Sequence, residues 1–281
     1  MVTMNLTEEQ IERYSRQIVL KEVGGIGQKK LLKSNVSLIG LGALGSPAAY
    51  YLVAAGIGQL KIIDYDIVEI SNLHRQILHS TNDINIRKTE SAIKKLNILN
   101  PDCNIEIISE LLTPGNSKKI IANSTFVIEG SDNFPTKMLV NDTCVNLKIP
   151  FTIAEVLRFH GQIMTVIPEE KTACYRCVFG DNSDTHIGMS SSEAGVIGLI
   201  PGVLGCLEAN EAIKYILNIG DLIKNKILYV DLLNNSFNFI DVYRNESCIA
   251  CGEKTEDLVE NYHYGIEDIC KKTKKLNLKN L

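Results

Sequence analysis

Two groups of residues in this chain have types and spacings that could do chemistry. The first begins with Gly40-Leu-Gly42-Ala43-Leu-Gly45 and continues to Asp64, about 20 residues further on. A glycine run that ends a strand and opens a helix offers backbone N–H groups and a helix N-terminus to a phosphate. An acid at the end of the next strand can accept hydrogen bonds from ribose hydroxyls. Alone, the pattern indicates a nucleotide, most often NAD. Ser71-Asn72-Leu-His-Arg75-Gln76 and Lys88 shift the reading to ATP, because two cations beyond the loop suit a triphosphate better than a pyrophosphate bridge. Asp132, in Gly130-Ser-Asp132-Asn133, follows the apolar run Thr125 to Glu129. Outside the carboxyl end of a strand lies the crevice where open α/β sheets bind ligands. A carboxylate there suits Mg²⁺, which takes one or two carboxylates together with substrate phosphates.

The second group is Cys174-Tyr-Arg-Cys177 and Cys248-Ile-Ala-Cys251. Four thiolates can close a tetrahedral site with no open position, the pattern of a structural zinc ion rather than a catalytic one. A redox pair is the alternative. The other cysteines, Cys103, Cys144, Cys206 and Cys270, read as small apolar side chains.

Positioning these residues requires a particular set of elements. The spacing Thr7-Glu-Glu-Gln10 predicts a capped helix through Arg13 and Arg16, and a second short helix carries Lys29 to Lys33. Strands are expected at Asn35 to Ile39, Leu60 to Ile63, Ile105 to Ile108 and Phe126 to Ile128. Helices are expected at Leu44 to Ala55, Arg87 to Leu99 and Pro135 to Leu147. Short apolar strands alternating with amphipathic helices predict an α/β fold with a doubly wound, mostly parallel sheet. The second half reads differently. Phe151 to Ala154 and Gln162 to Ile167 look like strands, Val203 to Leu217 like a long helix, and Leu228 to Leu232 with Phe237 to Val242 like a hairpin. Asp181 to Ser192 lacks periodicity and is read as a mobile loop. The lysines Lys271, Lys272, Lys274 and Lys275 are read as part of a solvated tail.

Composition sets the outer limits. With 45% hydrophobic and 22% charged residues the chain has enough apolar surface to fold, which excludes disorder. A formal net charge of −4 provides no basic field for nucleic acid or an anionic membrane. The start of the chain lacks a signal-peptide pattern, and the apolar stretch Val196 to Leu207 is too short to span a bilayer. We therefore expect a cytoplasmic protein.

Taken in order, Arg13-Tyr-Ser-Arg16-Gln, the glycine loop, Asp64-Tyr-Asp66, Asn72-Leu-His-Arg75-Gln76, Lys88, Ser131-Asp132-Asn133 and the two cysteine pairs resemble the MoeB/ThiF/HesA family. These are the bacterial relatives of ubiquitin-activating enzymes, and the resemblance runs from about Glu8 to Gly252. It implies a Rossmann-like sheet continuing into a mixed or antiparallel part with a four-cysteine zinc site. One adenylation domain would occupy residues 1–252, with a nucleotide-binding half of about 34–150, a carrier-binding and zinc half of about 151–252, and a tail at 253–281. It implies a homodimer that uses ATP and Mg²⁺ to adenylate the C-terminal glycine of a ubiquitin-like sulfur-carrier protein. By position, Gly40, Gly42, Ala43, Gly45, Asp64, Ser71, Asn72, Arg75, Lys88, Asp132 and Asn133 would form the nucleotide site. Arg75, Lys88 and Asp132 would act in catalysis, together with Arg16 reaching the ATP of the other subunit.

Three positions depart from the family pattern. Ala43 stands where many relatives have glycine, and Asn85-Ile-Arg-Lys88 replaces a common Gly-Gln-Pro-Lys. Ser191 stands where several relatives carry a cysteine, which implies an acyl-adenylate without a thioester on that loop and a separate sulfur donor. The alternatives are a family member that adenylates a peptide and, from another class, an NAD-dependent oxidoreductase.

Overall fold

The computed structural model describes residues 5–180, 194–253 and 257–266. Ser191, Cys270 and the terminal lysines lie outside these residues. In chain order the elements are α1 (Glu8–Arg13), α2 (Ser15–Ile18), α3 (Gly24–Leu31), β1 (Asn35–Ile39), α4 (Gly45–Ala55), β2 (Gln59–Ile63), α5 (Lys88–Leu99), β3 (Asn104–Ile108), α6 (Pro114–Ile121), β4 (Phe126–Glu129), α7 (Phe134–Leu147), β5 (Phe151–Leu157), β6 (His160–Val166), α8 (Tyr175–Phe179), α9 (Leu199–Leu217), β7 (Lys226–Asp231), β8 (Ser236–Asp241) and α10 (Leu258–Asn261).

All eight strands form one sheet in the order β3-β2-β1-β4-β5-β6-β7-β8. From β3 to β5 the neighbours run parallel, and from β5 to β8 each pair is antiparallel. The chain moves outward from β1 through β2 to β3, then crosses to the other side of β1 for β4. The reversal between β1 and β4 opens a crevice at their carboxyl ends. Helices cover both faces, so β1 and β4 are mainly apolar and almost wholly buried, with Ser37 and Glu129 as buried polar positions. One face packs Leu38, Leu60 and Ile128 against Leu52 of α4 and Ala209 and Ala212 of α9. The other packs Ile39, Val127 and Phe151 against Leu139 of α7 and against Cys174 and Cys248.

Four details differ from the sequence reading. The first helix breaks at Tyr14, which is 1% exposed; its hydroxyl donates to Asp102 (3.1 Å) and accepts from the Asn100 amide (2.9 Å). This tertiary anchor redirects the chain before Arg16. Helix α3 starts at Gly24 and ends at Leu31. Helix α9 starts at Leu199 and holds Pro201 in its first turn, where a missing N–H breaks no intrahelical bond. Helix α6 was not foreseen, although Thr113 caps it and Pro114 opens it. Among the described residues no helix is long and apolar enough to cross a membrane.

Candidate active site and cysteine cluster

The crevice is a cleft of about 750 Å³ lined by Gly40, Gly42, Ala43, Asp64, Arg75, Lys88, Asp132 and Asn133, among others. The glycine loop forms one wall. Gly40 has φ +86°, and a Cβ there would lie 2.8 Å from the Gly130 carbonyl oxygen; one on Gly45 would lie 2.1 Å from that of Gly40. The turn itself demands both. Gly42 is different, because the nearest atom to its built Cβ is Gln76 Nε2 at 3.7 Å. Bare backbone at Gly42 leaves room for a ligand to approach.

Asp64 ends β2 and is buried. One carboxylate oxygen accepts the Leu41 N–H (2.7 Å) and the other accepts the Asp66 N–H (2.8 Å), so the acid ties down the loop. Each oxygen keeps a lone pair for a hydroxyl donor. Burial raises the carboxyl pKa, Lys88 opposes the shift, and the result stays above the ordinary value. Lys88 opens α5 with its ammonium buried 2.8 Å from Asp66. Burial pulls its pKa down, but Asp64, Asp66 and Asp132 outweigh this and hold it above the ordinary lysine value. Lys88 is therefore a fixed cation.

Arg75 sits at the rim, donating to the Ser71 carbonyl (2.9 Å) and to the His74 ring (2.6 Å). Asn133 caps α7 by accepting the Thr136 N–H at 2.9 Å. Asn72 is buried and accepts the Glu69 N–H (3.1 Å), while the Ser71 hydroxyl donates to the Glu69 carboxylate (3.3 Å). Ser71 and Asn72 shape the turn that carries Arg75, and neither they nor Gly45 line the cleft. Nor does Arg16, which is exposed on α2. Glu9 pairs with Arg13 at 3.4 Å, and Arg16 makes no ion pair among the described residues.

Sequence reasoning missed His79. Its Nε2 meets the Leu41 carbonyl (3.3 Å) and its Nδ1 meets the Ser91 hydroxyl (2.9 Å). Burial lowers its pKa to about 4, so the ring is neutral. A carbonyl only accepts, so Nε2 carries the proton. Leu41 is thus held at both ends, by Asp64 at its N–H and by His79 at its C=O. The signal was available, since His79 lies three residues beyond the Asn72–Gln76 run.

Cys174, Cys177, Cys248 and Cys251 come together with all four sulfurs within 4.8 Å of one another. Contacts of 3.8 Å (Cys174–Cys177), 3.7 Å (Cys174–Cys248) and 3.3 Å (Cys177–Cys251) approach the ~3.8 Å that tetrahedral zinc–thiolate bonds of about 2.3 Å impose. Among the four sulfurs themselves, hydrogen bonds favour the thiolate at Cys177 and at Cys248, which is drawn down to about 6, and the thiol at Cys174 and Cys251. The donor set fits a closed Zn²⁺ site. The cluster also reaches the cleft, because the Tyr175 hydroxyl donates to Glu155, which lines it.

Comparison with known proteins agrees with this architecture. The chain is 38% identical over 263 residues to the SAMP-activating enzyme E1 of Haloferax volcanii, covering 94% of this chain and 97% of that protein. It is 40% identical over 255 residues to the sulfur carrier protein adenylyltransferase of Thermus thermophilus, covering 89% and 94%. Neither is named an oxidoreductase. The crystal structure of E. coli MccB shares the fold, with a TM-score of 0.76 at 24% identity over 92% of this chain and 76% of that one. The model of the ThiF family matches residues 14–250, and by that match and those relatives the chain belongs to the ThiF family.

Proposed function

We propose that this protein uses ATP and Mg²⁺ to adenylate the C-terminal carboxylate of a small ubiquitin-like sulfur-carrier protein, releasing pyrophosphate. The cleft carries the reading: a bare glycine loop, a carboxylate free to accept from a ribose, a fixed buried cation and a second carboxylate at one crevice. The substrate class comes from the relatives that match almost the whole chain, one of them a sulfur carrier protein adenylyltransferase.

A C-terminal carboxylate, with a pKa of about 3.3–3.7, is already ionised at neutral pH. It attacks the α-phosphorus, an acyl–phosphate bond forms, and the bond to pyrophosphate breaks. No general base is required. What needs stabilising is negative charge on the α-phosphate and the departing pyrophosphate. Lys88 and Arg75 supply cations there, with Arg75 leaving its contacts at Ser71 and His74 for the phosphates. Asp64 holds the ribose. Asp132 would hold Mg²⁺, which when bound neutralises phosphate charge. Arg16 would complete the site from the second subunit of a homodimer, and the four cysteines would hold zinc as a structural ion. Exposed Phe237 (55%) and Phe239 (62%) on the edge strand β8, with Tyr243 (80%) beyond, give a carrier protein an apolar face to dock on. A separate protein would deliver sulfur to the adenylate.

ATP–pyrophosphate exchange dependent on a ubiquitin-like carrier tests the proposal. Asp132→Ala and Lys88→Ala should each lower exchange by about 10²–10³, the cost of one preorganised electrostatic partner. Near wild-type exchange in either folded variant would overturn it.

A further inference from the structure

In the cleft wall, at the carboxyl end of β4, lies a second arrangement of charge that the adenylation chemistry does not use. Glu129 is wholly buried. One of its carboxylate oxygens accepts both the Ser131 N–H (3.0 Å) and the Ser131 hydroxyl. The other accepts from the ammonium of Lys137, itself buried on the first turns of α7. Lys137 spends another hydrogen on the Ala154 carbonyl of β5, at 2.8 Å. The residue before Asp132 is therefore fixed, through backbone and side chain, to a carboxylate that is fixed in turn by a lysine bridging two strands.

Glu208 of α9 lies within electrostatic reach of both partners. Its two carboxyl oxygens are sealed from solvent and have no hydrogen-bond partner. Burial drives its pKa well above the ordinary value, so it stays a neutral acid and does not compete with Glu129 for Lys137. Glu129 is the carboxylate in direct contact with Lys137, and Glu155 adds a further acid to the field of that ammonium. Apolar residues of similar shape would serve stability about as well as a buried pair. Position is what the pair adds.

We propose that Glu129 and Lys137 are positioning residues that set the Ser131–Asp132 turn in its metal-holding geometry before nucleotide arrives. The proposal rests on the reading of Asp132 as the Mg²⁺ holder. Partners that orient a metal's ligand typically account for about 10–100-fold in metal affinity or activity.

Two double variants test it, each removing both charges so that no lone buried ion is left. Glu129→Leu/Lys137→Met removes the acceptor of Ser131, whereas Glu129→Gln/Lys137→Met keeps an amide oxygen there. In the first, amide hydrogen exchange over residues 131–133 should accelerate in the nucleotide-free protein, and half-saturating Mg²⁺ for pyrophosphate exchange should rise about 10–100-fold. The second should restore both readouts most of the way. Glu208→Gln should change neither. If the Leu/Met pair does not fold, Ser131→Ala should show the same two changes more weakly, and no change in it would overturn the proposal. Equal behaviour of the two double variants would also overturn it, leaving the pair a purely structural role. Asp132→Ala separates the two ideas. If that variant keeps wild-type Mg²⁺ dependence, the metal assignment fails. If it loses that dependence while Leu/Met keeps it, the positioning role fails.

Discussion

The two halves of the sheet hold their chemistry in opposite ways. In the parallel half three charged groups of the cleft are held by the protein itself: Lys88 by Asp66, Arg75 by Ser71 and His74, Asp64 by two backbone N–H groups. In the antiparallel half four cysteine sulfurs are packed against one another, with backbone N–H groups of Asn245 and Cys251 as further partners. The first region is a preorganised receptor that can fold and wait, since its ligand has only to take over existing contacts. The second, holding zinc as proposed, would be a clamp whose metal binding is part of its folding free energy. Changes in the receptor should therefore cost rate, and changes in the clamp should cost structure.

The largest effect expected from this contrast lies in the clamp. Purified protein should carry one zinc per chain by elemental analysis, and Cys174→Ser or Cys248→Ser should lose it and unfold the antiparallel half. Apparent binding free energies of structural zinc are about 10–16 kcal/mol. A metal-free wild type that is folded and active would erase the contrast.

Next comes the residue that the receptor itself does not contain. Arg16→Ala and Asp132→Ala should each keep about 1% of wild-type activity or less alone, and mixing them under conditions of subunit exchange should return about a quarter of wild-type activity. Random reassortment makes half the molecules heterodimers with one complete site of two. An arginine supplied in trans can be worth about 10³–10⁵ in phosphoryl transfer. Recovery that fails after verified exchange would return Arg16 to its own chain.

The smallest effect concerns the receptor's own scaffold. Unfolded, His79 titrates near 6.5; folded, burial holds it at about 4. As pH falls the unfolded chain takes up the proton first. Stability that is full above pH 6.5 is therefore lost progressively down to about pH 4, by roughly 3 kcal/mol. His79→Gln should flatten this part of the pH–stability curve, measured by denaturant unfolding at pH 7 and pH 4.5. An unchanged slope would show that the ring is not the group responsible.

How far the sequence could be read follows the same division. Strands β1 to β4 were legible to within a residue or two, because Gly56 and Pro101 punctuate them and each carries an apolar run. The glycine loop, Asp64, Lys88 and Asp132 were legible because strand ends place them at one crevice. The break at Tyr14 was not, since it depends on Asn100 and Asp102, far away in sequence. The Glu129–Lys137 pair was equally hidden. A charged residue inside an apolar run declares itself only when its buried partner is seen. Ser71, Asn72 and Asn133 are in the motif, and their hydrogen bonds show that they also build the turns on which the cleft stands.

The cysteine clamp also bears on the order in which the chain assembles. Cys174 and Cys248 stand 74 residues apart, and α9, β7 and β8 are laid down between them. Closing so long a loop costs on the order of 4 kcal/mol of chain entropy. Strands β1 to β4 are complete once residue 129 has been made, whereas the clamp has to wait for Cys251. In a chain emerging from its N-terminus, the glycine loop, Asp64, Lys88 and Asp132 are all synthesised before the last two sulfurs exist. The cleft proposed for the nucleotide can therefore form early, and capture of the proposed zinc would be a late step that ties the C-terminal meander to a sheet already built.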